Sequence, residues 1–210
     1  MRLLFPALLA SFLTSPLAAQ NDTSEPKITY LIKLFDTVLI YAPPPWVTSL
    51  DEIANAETFR NQGRTGNGTE AFILEFIPKG ETFDDWRRLY GIWAETPLSA
   101  TVEAYRNGQL QTYEDACVDP QWRISQTTPD QTSRFTIYCP HYVSDPETGE
   151  VAFFSMILRG KTLVKTYYHI RIPAFSLGDL DQPGTLLPIS GDQIESAMWT
   201  IEQAQLTDTE

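Results

Sequence analysis

Residues 28–35 and 38–41 form two short runs dense in β-branched and aromatic side chains, the composition of a pleated, half-buried surface. Both predict strands, with Asp36-Thr37 between them as a tight turn or bulge. Pro43-Pro44-Pro45 then stops the ladder, because proline donates no backbone hydrogen bond, and Trp46 follows as an anchor for the core. A strand near residues 57–60 and another at 71–77 flank a glycine-rich stretch whose Asn67-Gly68 step suits the positive φ of a hairpin tip. The period then changes. Phe83, Trp86, Tyr90 and Trp93 recur at intervals of three and four, which predicts a helix carrying an aromatic stripe. Thr82 would cap it, and Asp84 and Asp85 would face the positive end of its dipole.

Residues 99–117 read as a second helix, weakened by Asn107-Gly108. After Pro120 the period returns to two. Residues 122–125 and 135–139 form strands around a Pro129-Asp130 turn, and residues 151–158 and 162–172 form the longest hairpin, turning at Arg159-Gly160-Lys161. Ser190-Gly191-Asp192-Gln193 is a capping-box start for a last helix with Ile194, Ala197, Met198 and Ile201 on one side. Strands with hairpin connections, a helical pair, more strands and a final helix predict an α+β domain: an antiparallel sheet with helices packed on one face.

The first residues have a different pattern. Arg2 precedes an apolar run over residues 3–10, and Leu17 and Ala19 stand at the −3 and −1 positions of a peptidase site. A signal peptide is expected over residues 1–19, a tether over 20–27, and a single domain over 28–210. The mature chain would start near Gln20 and work in the periplasm or outside the cell. No later apolar run approaches the roughly 20 residues of a membrane helix. Of the 210 residues, 42% are hydrophobic and 12% aromatic, enough to fill one core. Without Arg2, fourteen basic residues face twenty-seven acidic ones, a net charge of −13. That acidity excludes nucleic acid and disfavours anionic lipid surfaces, since both need clustered Lys and Arg.

Candidate chemistry is sparse. Cys117 and Cys139 are the only cysteines, and in an exported chain they are expected to bridge, stapling a helix end to a strand. A soft-metal alternative joins them with His141 and His169, but lacks the two close ligand pairs of a zinc site. Residues 63–69 fail as a phosphate loop, because Gly68 is followed by Thr69-Glu70 rather than a lysine. Residues 145–150 lack the alternating oxygen ligands of a calcium loop and read as a turn. Asn21 and Asn67 head glycosylation sequons. No cofactor is called for.

The strand ending Tyr41-Ala42-Pro43-Pro44-Pro45-Trp46, the strand 72–77 leading toward Phe83, and the long hairpin before a terminal helix together resemble the PsbP-like fold found among exported bacterial proteins. The resemblance covers most of the mature chain as an order of elements. It implies an assembly, docking or partner-binding domain and transfers no catalytic residue.

Two functions follow. The first is a non-catalytic binding or assembly domain for an envelope protein or a small ligand, with Trp86, Tyr90, Trp93, Tyr167, His169 and Arg171 as the candidate surface, since aromatics and arginine dominate interfaces. Tyr168 faces away from Tyr167 by strand alternation, whereas His169 shares a row with Tyr167 and Arg171 that could bind an anion. The alternative is a secreted hydrolase using His169 or His141, the only histidines. A concave pocket with a carboxylate beside His169 and Arg171 would favour the enzyme, and a flat exposed face would oppose it.

Overall fold

In the computed structural model, residues 29–64, 68–98, 100–128, 130–178, 180–181 and 185–208 are described. The expected signal peptide, the tether, both sequon asparagines and Pro129 lie outside them. The front of the domain folds as read from its composition: β1 (Tyr30–Leu34) and β2 (Thr37–Tyr41) pair antiparallel through Asp36, and Trp46 packs on Tyr168 with ring centroids 5.7 Å apart. A short helix, α1 (Leu50–Ala54), is capped by Ser49. β3 (Glu57–Arg64) and β4 (Glu70–Ile77) form the expected hairpin, and Gly68 has φ +86°.

The next element departs from the expectation. Residues 82–93 are not a helix: β5 (Arg88–Thr96) is a strand, hydrogen-bonded between β4 and the far arm of the long hairpin. The Thr82 hydroxyl does accept the Asp85 N–H at 3.1 Å, as a cap would, but the turn is not continued. The Glu81 carboxylate instead accepts the Arg87 N–H at 2.7 Å and feeds the chain into the sheet. Residues 89–94, Leu-Tyr-Gly-Ile-Trp-Ala, are buried on both faces except for Trp93, so the polar alternation that marks a half-exposed strand is missing. The three-and-four spacing of the aromatics therefore imitated a helix while Tyr90 and Trp93 lie on opposite faces.

α2 (Val102–Ala116) begins at its Thr101 cap and ends at Cys117. Cys117–Val118 (β6) pairs with His141–Tyr142 (β9) in a two-stranded ladder. β7 (Gln121–Thr128) and β8 (Thr132–Cys139) pair around Asp130, which has φ +56°. β10 (Thr148–Arg159) and β11 (Thr162–Pro173) are the long hairpin. The Ser190 capping box opens α3 (Gly191–Glu202), and β12 (Gln205–Asp208) returns to pair with β2. The main sheet has seven antiparallel strands in the order β3-β4-β5-β11-β10-β8-β7, and β1-β2-β12 forms a second sheet. The domain is thus more sheet-dominated than the expected α+β balance.

The main sheet buries both faces, and α2 and α3 do not share one. Tyr90, Phe153 and Tyr168 pack with Leu39, Ala197 and Ile201, so the small sheet and α3 cover one side. Phe135, Phe154 and Tyr167 pack with Val102, Leu110 and Tyr113, so α2 covers the other. Placing the helices together would have left Phe153 or Phe154, neighbours on one strand, against water.

Cys117 and Cys139 form a disulfide between the end of α2 and the end of β8, which leaves no thiolate for the metal alternative. The unreduced protein should weigh two hydrogen atoms less than its reduced form. Replacing both cysteines with alanine should cost about 3 kcal/mol in urea unfolding, from the entropy regained by the unfolded chain.

Candidate functional site

Beneath α2 the main sheet carries a buried polar cluster centred on Glu150. It is set by the β10–β11 register, which places Glu150 opposite Arg171 and Ala152 opposite His169. Since side chains alternate along a strand, Glu150, Tyr167, His169 and Arg171 all project toward α2. Tyr113 reaches down from α2 and Tyr142 in from β9.

Glu150 is 1% exposed and sits at the centre. Its Oε1 accepts a hydrogen bond from the Tyr113 hydroxyl and lies 2.9 Å from His169 Nδ1; its Oε2 accepts from the Tyr142 hydroxyl at 2.5 Å and lies 4.0 Å from Arg171 Nε. Burial alone would push the Glu150 carboxyl up, but the His169 charge and the hydrogen bonds from His169, Tyr113 and Tyr142 outweigh it and hold the group below its ordinary range. The same burial, reinforced by the Glu150 charge, raises both tyrosines. They therefore remain neutral donors.

A carboxylate only accepts, so Glu150 places the bridging proton on His169 Nδ1. The other ring nitrogen, Nε2, is buried with no hydrogen-bond partner among the described residues. Around it the His169 ring meets Trp86, Phe154 and Tyr167 at steep angles, with centroids 6.1, 5.3 and 5.3 Å away. His169 is thus held inside the sheet–helix layer. Arg171, next on its row, reaches the surface: its guanidinium carbon lies 3.7 Å from the Trp86 ring centroid, and a third of the side chain is exposed. Trp86, Arg171 and Tyr142 line a cleft of about 750 Å³, rimmed by the exposed carboxylates of Asp84, Asp85, Asp145 and Glu147. Residues 145–148 form the expected turn, with Asp145 accepting the Glu147 N–H at 3.2 Å.

The structure divides the candidate surface. Trp86, His169 and Arg171 come together around Glu150, and Tyr167 packs against His169. Trp93 lies on the same face but lines a different cavity beside Lys165. Tyr90 is fully buried on the opposite face against Tyr41 and Phe76, so it leaves the candidate surface. His141 belongs to the short β6–β9 ladder and lines no part of the cleft. Sequence reasoning missed Glu150, Tyr113, Tyr142 and Lys165. The Glu150–Arg171 pairing was recoverable from the turn of the long hairpin, whereas nothing local marks Tyr113 or Tyr142. No protein-family model matches the chain, and no curated protein matches it either.

Proposed function

We propose that the protein is an exported, non-catalytic binding domain whose Trp86–Arg171 cleft takes a small zwitterionic ligand of the amino-acid or short-peptide type. The observation that carries this reading is Arg171 itself: a guanidinium stacked on a buried tryptophan, backed by a buried carboxylate, and facing a cleft. Such a group is pre-organised to bind a ligand carboxylate through its planar fork. The four rim carboxylates outnumber the one further rim cation, Arg87, and suit the ligand's cationic end. The disulfide is in keeping with export, and the PsbP-like resemblance leads to the same class of partner-binding domain.

The hydrolase alternative has the features expected of it, a concave cleft and a carboxylate beside His169 and Arg171, and that carboxylate orients His169 through Nδ1, as in general-base pairs. Its Nε2, however, lies against aromatic rings, without a hydroxyl nucleophile in hydrogen-bond reach among the described residues, so the pair serves better as a strut that holds Arg171 and Tyr142 in place. The test is calorimetric titration of the mature protein with amino acids and dipeptides. Wild type should bind at least one of them, and Arg171→Lys, which keeps the charge near Glu150 but loses the planar stack, should bind it roughly tenfold more weakly. Failure of the whole panel, together with turnover of an ester or amide probe that His169→Gln abolishes, would replace this reading with the enzyme.

A further inference from the structure

A second feature of the α2 face lies outside the Glu150 cluster. Lys165 of β11 stands directly opposite Trp93 of β5, and its Nζ lies 5.6, 5.9 and 5.1 Å from the ring centroids of Trp93, Phe154 and Tyr167. Of its three N–H donors, one reaches Gln109 Oε1 on α2 at 2.9 Å. The side chain borders a cavity of about 380 Å³ between α2 and the sheet, walled by Trp93, Tyr105, Ala104 and Gly108 with Gln109 beside the amine. An amine is expensive to hold among aromatic rings, and the Gln109 bond with the ring faces offsets only part of that cost.

We propose that this cavity is a second site, separate from the Trp86–Arg171 cleft, which captures a small aromatic aldehyde as an imine on Lys165 Nζ. The neutral amine attacks the carbonyl carbon, forming the C–N bond, and the proton lost from nitrogen passes to the carbonyl oxygen. The C–O bond of the resulting carbinolamine then breaks and the hydroxyl leaves, with one further proton from solvent, as water. Apolar walls assist that loss of water, and the Trp93 and Tyr105 rings, whose centroids are 5.5 Å apart, offer stacking surface to an aromatic body. Burial pushes the Lys165 amine down to about 8 against the opposing pull of Glu75, so a large share is unprotonated and nucleophilic in mildly alkaline solution. The other titratable groups around it are tied up: the Tyr167 hydroxyl donates to Glu75 at 2.6 Å, and the Tyr105 hydroxyl donates to Glu95.

The experiment uses benzaldehyde with cyanoborohydride on the oxidised protein at pH 8, followed by peptide mass mapping. Lys165 should be benzylated at least roughly tenfold faster than the exposed Lys33, Lys79 and Lys161, and its rate should rise through about pH 8. Gly108→Leu is the decisive variant. Gly108 lines the cavity, a Cβ there meets nothing within 4 Å, and leucine is a residue type that helices prefer. It should leave the unfolding midpoint unchanged or higher while slowing Lys165 labelling several-fold. Labelling of Lys165 no faster than that of the other lysines, or an unchanged rate in a folded Gly108→Leu protein, would overturn the proposal.

Discussion

Glu150→Ala should lower the stability of the domain by about 3–5 kcal/mol, because it removes the one acceptor toward which two tyrosine hydroxyls, an imidazole and a guanidinium are directed. The buried donors would lose their carboxylate acceptor, Tyr113 and His169 keeping only their mutual 3.3 Å contact, and Arg171 would lose its counter-charge. Glu150→Gln keeps the shape but replaces one acceptor oxygen with a donor facing other donors, so it should cost nearly as much. The two variants separate loss of volume from loss of charge. The effect must also depend on pH in a definite direction. The folded-state carboxyl is held below its ordinary value near 4.5, so its ionisation contributes stability that is fully present above that value and is lost as pH falls through the lower, folded value. Urea unfolding between pH 7 and 3 should show the wild type losing stability below about pH 4.5 with a steeper slope than Glu150→Gln, whose amide does not titrate. Parallel curves for the two proteins would mean that another carboxylate drives acid unfolding.

The cluster shows where sequence reasoning reaches and where it stops. Local signals carried well. The Ser190 capping box, the hairpin turning at residues 159–161, the helix ending at Cys117 and the disulfide each depend on residues close in sequence or on a single pair of cysteines. The turn even contained the site, because pairing Arg159 with Thr162 places Glu150 opposite Arg171 by counting outward. Grouping Glu150 with the acidic turn at 145–150 hid that step. Tyr113 and Tyr142 could not be found in this way: they reach Glu150 from a helix 37 positions earlier and from a strand of two residues, and neither carries a pattern of its own. The stretch 82–93 failed for the opposite reason. A central strand covered on both sides has no polar face, so its aromatics fell by chance into a helical period. The same burial explains why Tyr90 was drawn into the candidate surface.

Gly91→Ala is the second large expected effect, and it links the central strand to the site. Gly91 of β5 lies between Glu75 of β4 and Tyr167 of β11, and the Tyr167 ring crosses the space where a side chain would stand. A Cβ at position 91 would fall 2.1 Å from Tyr167 Cζ, a distance that no relaxation of a few tenths of an ångström relieves. The ring would have to leave, breaking its 2.6 Å hydrogen bond to Glu75 and its packing on Phe154 and His169. Overpacking and the lost bond together should cost roughly 3–5 kcal/mol. Backbone conformation is not the reason, since Gly91 has no positive φ. The cause can be isolated by repeating the substitution in a Tyr167→Ala background. Tyr167→Ala alone is expected to be costly, because it empties a buried aromatic position. Once the ring is absent, however, Gly91→Ala should be neutral or stabilise by a few tenths of a kcal/mol through a less flexible unfolded chain. Urea unfolding of the four proteins then measures the coupling directly. An equal cost in both backgrounds would show that the glycine is needed for the strand itself and not for the passage of Tyr167 toward Glu75.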